Sequence, residues 1–149
     1  MRIAIASDHA GFGLKEAMVR FLREEGYEVL DLGPFEASSV DYPDFGKQVA
    51  ERVSKGEVEA GVLLCGTGVG MAIVANKFPG VRAALVNHVF TARQAKEHLN
   101  ANVLCLGGRV VGEGLAQAMI KAWLEARFQG GRHSRRLSKI EAIERENFR

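Results

Sequence analysis

Val62-Leu63-Leu64-Cys65-Gly66-Thr67-Gly68-Val69-Gly70 runs from an uninterrupted apolar stretch into a glycine-rich turn that begins with a thiol. Apolar residues without polar alternation read as a strand buried on both faces, and the turn leads into a helix starting near Val69. A strand that ends in sulfur, followed by flexible backbone and a helix start, can hold an anion beside a group that handles protons.

The same pattern repeats outward from this stretch. Ile3 to Ala6, Glu28 to Leu32, Arg82 to Val86 and Val103 to Leu106 join Ala60 to Leu64 as five short apolar runs. Segments of helical period separate them. Leu14, Met18, Phe21 and Leu22 mark a first helix closed by Gly26, and Pro43 opens a second with Phe45, Val49, Ala50 and Val53 inward and Gly56 at its end. Further helices are expected from about Val69 to Lys77, Val89 to His98 and Glu113 to Phe128. Strict alternation predicts an α/β fold, a Rossmann-like three-layer α/β/α sandwich on a five-stranded parallel sheet. Ligands of such sheets bind beyond the carboxyl ends of the strands. That rule puts Ser7 to Gly11, Cys65 to Gly70, Asn87-His88 and Gly107 to Arg109 on one rim. After Gly130-Gly131, the stripe Leu137, Ile140 and Ile143 predicts one extra C-terminal helix over 132–149, packed on its own domain or on a neighbouring subunit.

With 149 residues, 47% of them hydrophobic, the chain reads as one domain over 1–149. Its net charge of +2 hides a basic tail, with seven Lys/Arg from Arg127 to Arg149 against three Glu. No run approaches the roughly 18 apolar residues of a membrane span, and Met1-Arg2-Ile3 leads into a strand rather than a signal peptide's apolar core. Cys65 and Cys105 form no paired framework, so a reduced, cytoplasmic setting is expected, with no membrane partner. Nucleic acid fits poorly, because the tail lacks interleaved aromatics and the chain is nearly neutral.

The glycine turn is neither of the familiar phosphate loops. Its third glycine comes too early for a dinucleotide fingerprint, and no Gly-Lys-Ser/Thr closes a P-loop. Two readings stay open: a tight strand-to-helix turn, or a loop whose amides face an oxyanion. Cys65 is either a core thiol or a base, with the helix start favouring the thiolate form, and Cys105 reads as core. Asp8 either caps the next helix or, with His9, works on a ligand at the rim. His98 is a solvated histidine or a second proton-handling group. His9, His88, His98 and Cys65 contain no close-spaced ligand pair, so no metal is expected. Arg132 and Arg136 are four apart, on one side of a helix, as two guanidiniums converging on a phosphate would be.

Taken together, Ser7-Asp8-His9-Ala10-Gly11, Asp41-Tyr42-Pro43, Cys65 to Gly70 with Asn76-Lys77, Asn102-Val103-Leu104, Gly108-Arg109 and Gly130-Gly131-Arg132-His133 resemble the type B ribose-5-phosphate isomerases of the ribose/galactose isomerase family. The resemblance spans nearly the whole chain. It implies interconversion of ribose 5-phosphate and ribulose 5-phosphate with no cofactor or metal, in a homodimer or dimer of dimers whose active sites lie at the subunit interface. It assigns the carbon base to Cys65 and ring opening to His98 with Asp8. It places Arg109, Arg132, Arg136 and His9 around the phosphate, some from the second subunit, and Tyr42 with Gly66, Thr67, Gly68, Val69 and Gly70 at the substrate.

The chemistry suits those residues. Moving a proton between adjacent sugar carbons passes through an enediolate, which needs fixed donors such as the amides of Gly66 to Gly70, and Thr67 can relay a proton between its oxygens. Cyclic sugar phosphates must first be opened by a separate acid and base. One position departs from the pattern: Leu99 follows His98 where the family commonly has Asn, and Asn100 comes next as a candidate replacement. Related enzymes act on allose or galactose 6-phosphate, and a phosphosugar-binding module without catalysis is the reading from another class.

Overall fold

A computed structural model describes residues 1–148; Arg149, part of the basic tail and the last residue of the expected domain and helix, lies outside the described residues. The chain order is β1 (Arg2–Ser7), α1 (Phe12–Glu24), β2 (Glu28–Asp31), α2 (Tyr42–Ser54), β3 (Ala60–Cys65), α3 (Val69–Ala75), β4 (Ala83–Leu85), α4 (Val89–Leu99), β5 (Val103–Gly107), α5 (Glu113–Glu125) and α6 (Arg132–Asn147). All strand pairs are parallel, in the order β2-β1-β3-β5-β4. This is the Rossmann-like three-layer arrangement the alternation predicts.

Side-chain alternation along the strands divides the core in two. Ile3, Ile5, Val62, Leu64, Leu104 and Leu106 face α1, α4 and α5, with Met18, Leu22, Met119 and Trp123 among their buried partners. Ala4, Ala6, Leu63, Cys65, Val103 and Cys105 face α2 and α3, against Val49, Val53 and Met71. The strands β1, β3 and β5 are buried as expected, whereas the edge strands β2 and β4 are only half-buried. An edge lacks the flanking neighbour that would cover it.

Most element boundaries shift by a residue from the sequence reading, and three of the shifts have a visible cause. The strand β4 begins at Ala83, because the Arg82 N–H donates to the Asn102 side chain at 2.7 Å instead of a strand partner. The helix α3 stops at Ala75 rather than Lys77; the Asn76 side chain then bonds both the N–H (2.9 Å) and the C=O (3.0 Å) of Ala83, serving the open edge of β4. The helix α5 stops at Glu125, three residues before Phe128, where Ala126 turns extended with ψ 159°. The chain then crosses to α4, where the Gln129 N–H donates to the Glu97 carbonyl at 2.9 Å.

The tail helix buries side chains at its start, and near its end the Gly80 N–H donates to Glu144 Oε1 at 2.9 Å. His133 and Leu137 are buried, while Ile140, Ile143 and Phe148 are 46%, 60% and 47% exposed. The three exposed residues line an apolar groove with Val81, Ala83, Ala84, Leu99 and Ala101.

Candidate active site

The chain leaves β1 towards β2 on one side and returns to β3 on the other. The crevice between the carboxyl ends of β1 and β3 is therefore the switch point of the sheet. Asp8 and Cys65 stand there. The Asp8 N–H donates to the Leu64 carbonyl at 3.1 Å, which ties the two strand ends together.

Cys65 is buried, and its Sγ accepts a hydrogen bond from the Gly68 N–H at 3.2 Å. The turn closes around the sulfur because Gly68 has φ +84°, a left-handed conformation. Crowding enforces the same residue, since a Cβ there would lie 2.6 Å from Leu85 Cδ1. The expected set of oxyanion amides is narrower than the sequence suggests. Gly68 serves the sulfur, and the Val69 N–H donates to Thr67 Oγ1 at 3.3 Å. Gly70, in the first turn of α3, keeps an N–H that helix geometry leaves without an intrahelical partner. The Tyr42 ring lies against Gly70, so closely that a Cβ on it would sit 2.6 Å from the ring.

The loop after β5 completes this cluster. The Gly108 N–H donates to the Cys65 carbonyl at 2.8 Å and the Arg109 N–H to the Gly66 carbonyl at 3.0 Å. The exposed Arg109 guanidinium turns back over the glycine turn, 3.5 Å from where a Cβ of Gly66 would be. Arg109 thus places a positive charge over the glycine turn.

Asp8 does not cap α1 directly, because the N-cap is Gly11 and carries no side-chain bond; the Asp8 Oδ1 accepts from the Gly11 N–H at 3.0 Å and closes the turn ahead of the helix. The carboxylate is buried beside the crevice. His9 is exposed, and its Nδ1 accepts from the Val40 N–H at 3.2 Å. That bond requires an unprotonated Nδ1 and leaves Nε2 as the donor edge, which suits an anion.

The other half of the expected residues lies elsewhere. The helix α4 starts at the rim and runs back, so His98 and Asn100 sit near the start of β5. There the Asn102 carbonyl accepts from Gly61, at the beginning of β3. Cys65 is four strand steps further on, about 13 Å at the usual rise. Within one chain, therefore, the structure does not bring His98 to Cys65 and Asp8. Arg132 and Arg136 are exposed on α6 at the His98 end, flanking His133. His133 stacks on His98 with ring centroids 4.0 Å apart and planes within 10°. Burial first, then the charges of His98, Arg132 and Arg136, hold His133 below its ordinary 6.5.

Asn100 has a structural task at this end. It closes α4 in the left-handed conformation at φ +47°, and its carbonyl accepts from Arg82 Nε at 3.1 Å and Nη2 at 3.0 Å. Leu99 is exposed beside the tail groove. His88 is exposed at the start of α4, and among the described residues no three His, Cys, Asp or Glu converge as a metal site. Burial pushes the Cys105 thiol up, with the neighbouring Cys65 adding to the effect, so Cys105 is core as read.

One supporting group escaped the sequence reading. Lys15 is fully buried; its Nζ donates to both Asp31 oxygens at 2.9 and 3.0 Å and to Glu16 at 2.8 Å, between the rings of Phe12 and Phe35. Asp31 in turn accepts from the Gly33 N–H at 3.0 Å. This clasp anchors the loop whose Val40 holds His9 and which leads to Tyr42. A lysine one turn into an amphipathic helix carries no local mark of burial.

Known proteins are similar to this chain in sequence and in fold. The sequence model of the family described as Ribose/Galactose Isomerase matches residues 3–140. The chain is 47% identical to ribose-5-phosphate isomerase B of Escherichia coli over 143 residues, 96% of each chain. Its structure is similar to that of Clostridium thermocellum ribose-5-phosphate isomerase B, with 51% identity, TM-score 0.96 and coverage of 98% of this chain and 99% of the other. It is also similar to ribose-5-phosphate isomerase B from Mycoplasma genitalium with bound ribulose-5-phosphate, at 45% identity, TM-score 0.95 and coverage of 98% and 97%. Among the described residues, no helix is long and apolar enough to cross a membrane.

Proposed function

Because the chain belongs to the ribose/galactose isomerase family, we propose that it interconverts ribose 5-phosphate and ribulose 5-phosphate through an enediolate, with Cys65 as base. The observation that carries this reading is the thiol at the switch point, fixed by the Gly68 amide, with Arg109 over the same glycine turn. The deprotonated sulfur takes the proton from C2 of the open aldose, and the electron pair moves into a C1–C2 double bond as O1 gains negative charge. Thr67 transfers a proton from O2 to O1, and the thiol returns its proton to C1. The Gly70 N–H and the positive charge of Arg109 oppose the charge on the enediolate.

The division into two half-sites favours a homodimer, which pairs further if the family's dimer of dimers applies. One half carries Cys65, Thr67, Asp8, His9, Tyr42 and Arg109 at the rim. The other carries His98, Arg132 and Arg136 at the opposite end of the sheet. A two-fold operation matches unlike patches reciprocally, so the tail half of each chain can complete the rim half of its partner. The exposed Ile140, Ile143 and Phe148 give that contact an apolar lining. In this assembly His98 and Asp8 open the sugar ring, and Arg132 and Arg136 join His9 at the phosphate. The reaction is placed in the cytoplasm, where Cys65 and Cys105 stay reduced.

Turnover of ribose 5-phosphate against allose and galactose 6-phosphates, measured with chelator present, tests the reading. Highest kcat/KM for ribose 5-phosphate supports it; preference for a six-carbon substrate would transfer the same chemistry to that sugar. Ligand binding with no exchange of the C2 proton into heavy water would reduce the chain to a phosphosugar-binding module.

A further inference from the structure

His133 is buried, lies one residue past Arg132 in the first turn of α6, and meets His98 ring to ring at 4.0 Å and 10°. Resting on the role proposed for His98, we infer that His133 is a positioning residue: a neutral, flat platform that fixes the plane of the His98 imidazole for ring opening.

Three features support this. A parallel stack removes the freedom of His98 to rotate about its side-chain torsions while leaving its ring edge half-exposed. The platform is itself immobile, because α6 is anchored there by Leu137 and by the backbone bond from His133 N–H to the Gly130 carbonyl at 3.0 Å. Two stacked imidazolium rings would repel, so a neutral His133 keeps the stack free of that repulsion. The groups acting on His133 enforce that state: burial disfavours its charged form, and His98 from α4 with Arg132 and Arg136 from its own helix add positive charge.

The ketose offers a way to separate ring opening from carbon chemistry. Ribulose 5-phosphate has its O5 esterified and cannot close a five-membered ring, so exchange of its C1 proton needs the enediolate step but no ring opening. We therefore compare His133→Ala and His133→Phe in the full-length protein for ribose 5-phosphate turnover and for C1 exchange in heavy water. His133→Ala should lower kcat on ribose 5-phosphate about 10- to 100-fold, the scale of a misplaced reacting group. C1 exchange should stay within about threefold of wild type, because the groups acting on the open chain are intact. His133→Phe, which keeps a flat ring and the packed volume, should recover most of the lost turnover. Equal loss in both variants, parallel loss of C1 exchange, or no loss in His133→Ala would each overturn the proposal.

Imidazole NMR titration gives a readout that needs no turnover. His133 should titrate below 6.5 in the wild type and move upward in His98→Phe. A wild-type His133 that protonates above 6.5 would refute the neutral platform, even if the protein proved inactive on every sugar phosphate.

Discussion

The Gly68 amide points at the Cys65 sulfur from 3.2 Å, so the turn that follows β3 closes back on the residue that ends it. The sulfur is thereby held at the switch point with its rotamer fixed from within its own loop. The role proposed for Cys65 is therefore separable by mutation from that of the tail residues.

Cys65→Ser keeps the shape of the site and replaces the base by a hydroxyl. We expect kcat to fall by about 10²- to 10⁴-fold, the usual contribution of a positioned base. Binding of a non-reacting phosphosugar, measured by calorimetry, should change little. Near-normal turnover in this variant would remove Cys65 from the mechanism.

Gly70→Ala forces a methyl group against the Tyr42 ring, where the contact would be 2.6 Å. The ring belongs to an exposed side chain and can swing aside, so the methyl group displaces Tyr42 rather than overpacking a core. Because the ring and the turn both belong to the proposed site, kcat/KM should fall while the urea midpoint changes little, and a double-mutant cycle with Tyr42→Ala would measure the coupling.

Lys15→Met strips Asp31, 14% exposed, of its cationic partner and leaves the Gly33 N–H as the donor seen there. Removing one member of a buried pair costs about 3 kcal/mol. Urea unfolding should show that loss, and Lys15→Met with Asp31→Asn should recover part of it. A neutral effect in the single variant would mean that the clasp contributes no stability.

Acid should destabilise the fold through His133. Its folded-state pKa lies below the unfolded 6.5, so the unfolded chain binds the extra proton first. The stability is fully present above that value and is lost as pH falls through it towards the folded pKa. Urea midpoints between pH 8 and pH 5 should fall more steeply for wild type than for His133→Phe.

Two inactive variants should complement each other if the half-sites meet across a dimer. Cys65→Ala damages the rim half, and Arg132→Ala with Arg136→Ala damages the tail half. After mixing and refolding, half of the dimers are mixed and each carries one intact site. Activity should therefore return to about a quarter of wild type. Continued inactivity, with mixed dimers confirmed by mass spectrometry, would place both halves on one chain.

Much of this was legible in the sequence because it is local. Apolar runs of strand length, the glycines Gly26 and Gly56 just past α1 and α2, and the thiol before Gly66-Thr67-Gly68 each express a backbone preference within a few residues. Parallel strands then force every strand-to-helix loop to one rim, which is why Asp8, Cys65 and Arg109 were grouped correctly. The failures were non-local. The boundaries at Ala83 and Glu125 go with bonds to Asn102 and Glu97, far along the chain, and the end of α3 goes with the bonds of Asn76 to the edge strand at Ala83.

The sequence by itself determined the alternating fold, the residues on the rim and the chemistry that a thiol in a glycine turn can perform. Only the tertiary structure decided that β5 inserts between β3 and β4, and that His98, in the last turn of α4, lies at the end of the sheet away from Cys65. It also decided that Lys15 is buried on Asp31 and that His98 rests on His133. Strand order and ring stacking depend on which distant surfaces bury each other, and periodicity records only that a face is apolar, never which face it will meet.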